Sequence, residues 1–170
     1  QEEIKKMRIA GKYDVLKQIG RGAFGVALLV RPVREGAAGG AGGAGSAGGG
    51  SALAGPDDDD VSLDGTEVVI KKIDCTMMSA DEIAEAMNEV AVLRSLANGN
   101  PFIIGYRSAF DDQGALHIVL DYAENGDLSH VISKTKQAKK RFRQAKVLDW
   151  FVQISSALKF IHGRNILHRD

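Results

Sequence analysis

Cysteine is nearly absent from this sequence. Cys75 stands alone, so neither an internal disulfide nor a multi-cysteine zinc site can form, and a reducing compartment, cytosol or nucleus, is the simplest expected home. Net charge is absent too. The 22 Lys and Arg residues balance 22 Asp and Glu, which leaves no global field to gather nucleic acid or an anionic membrane; neither is expected as a partner, and any charged ligand must be held by local arrangement. No apolar run approaches the roughly 18 residues of a membrane helix. Gln1 opens the chain with no basic-then-apolar leader behind it. The missing initiator Met reads as a cut start, and the final Ile166–Asp170, "ILHRD", reads as a stop in mid-motif.

What is present fits a soluble globular chain: 44% hydrophobic and 26% charged residues over 170 positions, enough for one domain or part of a larger one. One tract stands apart. "GAAGGAGGAGSAGGGSALAG", residues 36 to 55, followed by Pro56 and the run Asp57 to Asp60, offers too few large apolar side chains to offset its own ordering entropy. The region of about 35–64 is therefore expected as a flexible insert. Its flanks then become neighbours. "YDVLKQIG" (Tyr13 to Gly20) and "GVALLVRPV" (Gly25 to Val33) read as strands bracketing a Gly-rich turn, and "TEVVIKKID" (Thr66 to Asp74) as a third. Ser79 to Gly99 reads as a helix with Ser79 at its N-cap, apolar Ile83, Met87 and Val90 at helical spacing, and Asn98-Gly99 at its close. Strands follow around Ile103 to Phe110 and over Ala115 to Tyr122, joined by the turn Asp111 to Gly114. Then come a short helix in "GDLSHVISKTK" and a longer one over Ala145 to Gly163, whose apolar face carries Leu148, Phe151, Val152, Ile154, Ala157, Leu158 and Ile161. The order predicts a five-stranded sheet with one helix, leading into a helical lobe.

"GRGAFG", Gly20 to Gly25, matches G-x-G-x-x-G, a pattern that lets backbone approach a phosphate but also simply makes turns. Context separates the readings. A dinucleotide-binding loop must open a helix, whereas here Gly25 runs into the strand "VALLV", so the loop is a hairpin tip lying over a ligand. The P-loop ending G-K-[ST] is absent. Lys71, in "VVIK", shares a strand face with Val69 and Ile73, and its neighbour Lys72 must point the other way. A half-buried lysine in such a place needs an anion. Glu82, Glu85 and Glu89 lie on a common side of the following helix, and periodicity does not choose among them.

Taken in order, these motifs resemble a eukaryotic protein kinase, and among kinases the NIMA-related group. "IGRGAFGVALLV" corresponds to the Gly-rich loop, "VVIK" to the strand lysine, and "NEVAVLRSL" to the helix whose glutamate pairs with it, which selects Glu89. "LHIVLDYAENGDL" resembles the hinge, with Leu120 as gatekeeper and Asp121 to Ala123 offering backbone groups to adenine. "LDWFVQISSALKFIHGRNILHRD" resembles the helix and first half of the catalytic loop, with His168 packing, Arg169 positioning the loops and Asp170 accepting the substrate hydroxyl proton. Where many kinases carry Val after the loop and Ala before the lysine, this chain has Ala27 and Val69, an exchange that conserves pocket volume.

The resemblance implies an α+β fold: a kinase-like N-terminal lobe at 13–122, with its five-stranded antiparallel sheet and helix, after a flank at 1–12, and an incomplete helical C-terminal lobe from 123 to 170. It implies ATP and Mg²⁺ as cofactors and a protein Ser/Thr hydroxyl as acceptor. Catalytic roles fall to Asp170, Lys71 and Glu89. Nucleotide contacts fall to Ile19, Gly20, Arg21, Gly22, Ala23, Phe24, Gly25, Ala27, Val69, Lys71, Leu120, Asp121 and Ala123. Metal ligands are expected downstream, since no Asp-Phe-Gly follows, so the chain alone is expected not to transfer phosphate. The alternative is a pseudokinase or regulatory binding module. A cytoplasmic, cytoskeleton-associated location is expected from the family, and the resemblance does not set an oligomeric state. The basic stretch Lys134 to Lys146 is read as a solvated connection, the first ten residues as a short helix, and Trp150 as core.

Overall fold

A computed structural model of the chain describes residues 7–22, 25–33 and 65–169. The expected insert, Ala23, Phe24 and Asp170 lie outside the described residues. Two compact units are present, Gln1–Ser95 with Tyr106–Tyr122, and Leu96–Gly105 with Ala123–Asp170.

The first unit is built on one antiparallel sheet. Its strands are β1 (Arg8–Ile9), β2 (Tyr13–Gly22), β3 (Gly25–Pro32), β4 (Val68–Asp74), β5 (Tyr106–Asp112) and β6 (Ala115–Asp121), in the order β1-β2-β3-β4-β6-β5. The alternation of side chains along strands decides what each face carries. Val26, Leu28 and Val30 of β3 join Val68 and Ile70 of β4, Val119 of β6, and Ile9, Tyr13 and Val15 in one apolar core. The residues between them, Ala27 and Leu29, Val69, Lys71 and Ile73, Ile118 and Leu120, form the other face, with Ala27 opposite Lys71 and Val69 opposite Leu120.

Ring stacking closes the sheet on itself. Tyr13 of β2 stacks on Phe110 of β5 at 6.0 Å, and Phe110 on His117 of β6 at 5.0 Å. The Ala10 N–H donates to Asp112 at 3.3 Å. Strands far apart in sheet order are thereby brought into contact. The β5–β6 connection is a two-residue turn with Gln113 at φ 56° and Gly114 at φ 75°, the left-handed pair whose twist suits a tight hairpin.

The first ten residues were expected as a short helix, and the described part is instead a strand. Ala10 and Gly11 take positive φ, 48° and 67°, which folds Arg8–Ile9 back onto Tyr13 and Asp14. Ile9 is then buried in the core. This two-residue strand is the sixth, beyond the five expected. The strand expected from about Ile103 begins at Tyr106, because Asn100 turns the preceding chain through its own side chain, accepting from the Phe102 N–H at 2.9 Å.

Helix α1 (Ala80–Leu96) starts at a reciprocal cap. Ser79 Oγ accepts from the Glu82 N–H at 3.3 Å, while a Glu82 carboxylate oxygen accepts from the Ser79 N–H at 2.8 Å. Asn98, in left-handed backbone at φ 56°, follows its end. Ala86 and Val90 are its buried positions in the first unit, and Ile83, expected on the apolar stripe, is exposed.

In the second unit, α2 (Leu128–Gln137) is capped by Asp127, which accepts from the His130 N–H at 2.6 Å. The longer α3 (Gln144–His162) packs Phe160 against Gly99, where a Cβ would strike the ring, and Asn100 donates to Ser156. Helical periodicity located α3 but not what covers it. Ile161 is buried, whereas Leu148, Phe151, Val152 and Ile154 are more than half exposed. Trp150 is not a core residue either. It stacks edge-on with Phe142 at 5.0 Å, under the Lys146 ammonium, and lines a hollow of about 240 Å³ with Leu128, Val131 and Ile154. The basic stretch is exposed along the end of α2 and the start of α3, with Lys146 paired to Asp149 at 3.2 Å.

Candidate nucleotide site

The site face of the sheet begins at the β2–β3 hairpin. The ladder runs to its tip, pairing Gly20 with Ala27, Arg21 with Val26 and Gly22 with Gly25. The glycines differ in what they do for the fold. A Cβ on Gly25 would fall against the Lys72 carbonyl of β4, so only glycine allows these strands this approach. A Cβ on Gly20 would meet Ala27 at an ordinary 3.5 Å, and one on Gly22 would meet nothing within 4 Å. Packing therefore does not require glycine at either of these two places. Space beside the backbone is left where a ligand could approach. Ile19 and Arg21 are exposed beside them.

Lys71 is the charged centre of the face. Its Nζ donates to both oxygens of Glu89, at 2.7 and 2.8 Å, with the lysine side chain 32% and the glutamate 42% exposed. An ammonium has three protons. With one carboxylate occupying two, the third is available to an anionic oxygen. Of the three glutamates that periodicity left open, Glu82 is consumed by the Ser79 cap, whose backbone and side-chain bonds hold its carboxyl below the usual range. Glu85 is exposed, and Glu89 reaches Lys71.

Around this charge the neighbouring side chains are apolar. Ala27 lies beside Lys71 on β3, Ile118 beside it on β6, and Val69 precedes it on the same face opposite Leu120. Lys72 sits on the core side, opposite Val26 and His117. The arrangement offers an apolar strip next to one oriented cation, which suits an apolar base joined to phosphate. Asp121 ends β6, and Ala123 belongs to the second unit, where it is exposed. His168 and Arg169 are exposed in that unit, Arg169 with φ 64°. Among the described residues no group of His, Cys, Asp and Glu could hold a metal ion, and no helix is long and apolar enough to cross a membrane.

Sequence reasoning missed one residue of this region. Arg107 of β5 donates from Nε to Asp121 at 2.6 Å, and no motif pointed to it.

The protein kinase domain family matches residues 60–170, a span that holds Lys71, Glu89 and Leu120. The chain belongs to the protein kinase family. Among curated relatives, it is 38% identical to the mouse serine/threonine-protein kinase Nek1 over 94% of its own length and 10% of that protein. It is 36% identical to the probable serine/threonine-protein kinase nek3 of Dictyostelium discoideum over 94% of the chain and 11% of the relative. With human serine/threonine-protein kinase Nek5 the identity is 35%, over 94% of the chain and 18% of the relative. The kinase chain thus spans between a tenth and a fifth of the length of these relatives. Both the expected kinase fold and the NIMA-related resemblance agree with these findings.

Proposed function

We propose that this chain forms the ATP-binding part of a serine/threonine protein kinase, which moves the γ-phosphoryl group of ATP to a protein Ser or Thr hydroxyl. The observation that carries the reading is the Lys71–Glu89 pair beside Ala27, Val69 and Leu120: a cation oriented by two hydrogen bonds next to an apolar strip. Support for the Ser/Thr acceptor comes from the relatives, named as serine/threonine-protein kinases.

In this reading Lys71 holds the α- and β-phosphates and Glu89 keeps its ammonium in place. The backbone of the loop from Gly20 to Gly25, Ala23 and Phe24 included, covers the phosphates, with Ile19 and Arg21 at its rim. Ala27 and Val69 pack on the adenine face, Leu120 closes the back, and the backbone of Asp121 and Ala123 meets the adenine edge. Asp170 accepts the hydroxyl proton. Bound Mg²⁺ would neutralise phosphate charge. Kinases hold it with the aspartate of Asp-Phe-Gly, a triplet this chain does not contain. The chain by itself therefore binds ATP without transferring phosphate, and the serine/threonine kinase of which it forms the ATP-binding part acts in the cytoplasm on a protein substrate.

The test is equilibrium ATP binding by the chain and by Lys71→Met, alongside a transfer assay with labelled ATP and a generic protein acceptor. Saturable binding lost by at least tenfold in the variant is expected, with no transfer. Binding of NAD in place of ATP would sink the kinase reading. Lys71-dependent transfer would instead overturn the inactivity of the chain.

A further inference from the structure

The end of β6 is held by an ion pair that the strand pattern does not foresee. Tyr106 pairs with Leu120 and Ser108 with Val119, so two steps along β5 match one along β6, and Arg107 is the extra residue of a bulge. The bulge changes which way side chains point. Tyr106 stays on the site face beside Leu120, while Arg107 and Ser108 both turn to the core face, where Asp121 also lies. There the Arg107 Nε donates to Asp121 Oδ1 at 2.6 Å, with the side chains 26% and 46% exposed. Beside them Ser108 bonds the Tyr13 hydroxyl, and the Arg107 charge acts on that hydroxyl as well.

Position gives the pair its importance. Asp121 is the last residue of β6 and is matched to Val68 of β4, but β5 has no residue opposite it, because their ladder ends at Tyr106 and Leu120. On the β5 side Asp121 is held through its side chain. We propose that Arg107 is a positioning residue for adenine recognition: by clamping Asp121 it fixes the backbone carbonyl at the end of β6, which selects a base bearing an amino donor. This rests on the nucleotide-binding reading above. An accepting carbonyl favours the adenine amino group over the guanine carbonyl at the same place, so loss of the clamp should relax the choice of base more than it weakens phosphate binding.

The experiment measures ATP and GTP affinities of the chain by competition against a fluorescent nucleotide, for wild type, Arg107→Ala, Asp121→Ala and the charge-exchanged double variant Arg107→Asp with Asp121→Arg. Circular dichroism confirms that each folds. The ATP-to-GTP preference should fall about three- to fivefold in the single variants, the scale of a part-exposed ion pair, and recover in the exchange. A Lys71→Met control should lose both nucleotides together and keep their ratio. If wild type binds ATP and the ratio is unmoved by Arg107→Ala, or is not restored by the exchange, the clamp is overturned while the nucleotide site stands. If wild type binds neither nucleotide, both fall.

Discussion

Lys71 of a strand and Glu89 of a helix, 18 residues apart in sequence, meet through both carboxylate oxygens, at 2.7 and 2.8 Å. Both side chains are about a third or more exposed, so the pair contributes little to stability, of order 0–1 kcal/mol. Its consequence lies in where it holds a positive charge. Glu89→Gln keeps the shape and removes the charge. It is expected to weaken ATP binding by about tenfold while leaving the thermal midpoint nearly unmoved. Titration of nucleotide into this variant and into Glu85→Gln checks the point. Equal losses in both would mean that helix charge in general, rather than this contact, carries the effect.

The start of α1 sets the position of Glu89, since a helix that frays at its first turn holds its later residues less firmly. Ser79→Ala removes the Oγ that accepts from the Glu82 N–H and donates to its carboxylate. The expected loss is about 0.5–2 kcal/mol by denaturant unfolding. Ser79→Asp, which also caps, should retain most of the stability. A loss as large with Asp as with Ala would remove the cap from the account.

How far the sequence could be read depended on whether the deciding interaction was periodic. Strands β2 to β4 and the Gly-rich tip were legible because alternation and turn glycines are local signals. Lys71 stood out because its strand neighbours are apolar, yet its partner did not, since Glu82, Glu85 and Glu89 are equivalent to a helical period. The resemblance of "NEVAVLRSL" selects Glu89, and in the structure the Ser79 cap, which consumes Glu82, and the reach of Glu89 to Lys71 separate them physically. Strand β1 is two residues long, too short to have a period, and is made by positive φ at Ala10 and Gly11. Arg107 was invisible for the opposite reason: a bulge adds a residue and breaks the period that would reveal it. The exposed Leu148, Phe151, Val152 and Ile154 mark a further limit. A pattern tells which face of α3 is apolar, not what lies against it.

His117 gives the sheet a dependence on pH. Its ring is buried against Phe110, with Nδ1 2.9 Å from the Ala115 carbonyl; a carbonyl only accepts, so the proton of the neutral ring sits on Nδ1. Burial pulls its pKa below the ordinary histidine value and Lys72 adds to that, against upward pulls from the Ala115 carbonyl, Asp112 and Asp111. The unfolded chain thus takes up a proton at a higher pH than the folded one. Stability is full above the unfolded pKa of 6.5 and is lost as pH falls through the lower folded value. Thermal midpoints measured from pH 7.5 down to 5 should be flat at first and then fall. In His117→Gln the fall should be shallower over the same range. Identical slopes would exclude His117 as the group responsible. The lowered carboxyl pKa values of Asp74 and Glu82 act in more acidic solution and leave this range clear.

Gly22 and Gly25 close the hairpin as a pair but should respond to alanine in opposite ways. At Gly25 the added methyl meets the Lys72 carbonyl, a backbone atom that cannot move without displacing β4. Gly25→Ala is therefore expected to destabilise the first unit by about 1–3 kcal/mol. Any fall in its ATP affinity would partly reflect the lost fold. At Gly22 the methyl enters open space, so the midpoint should change by about 0.5 kcal/mol or less. If the open space is where phosphate oxygens approach the loop backbone, Gly22→Ala should nonetheless weaken ATP by about tenfold, the worth of one hydrogen bond to a charged group. Adenosine, which has no phosphate, should bind both proteins alike. Stability and nucleotide titrations on the two variants thus separate a glycine the fold needs from one the ligand needs. Unchanged ATP affinity in Gly22→Ala would leave the tip as an ordinary turn.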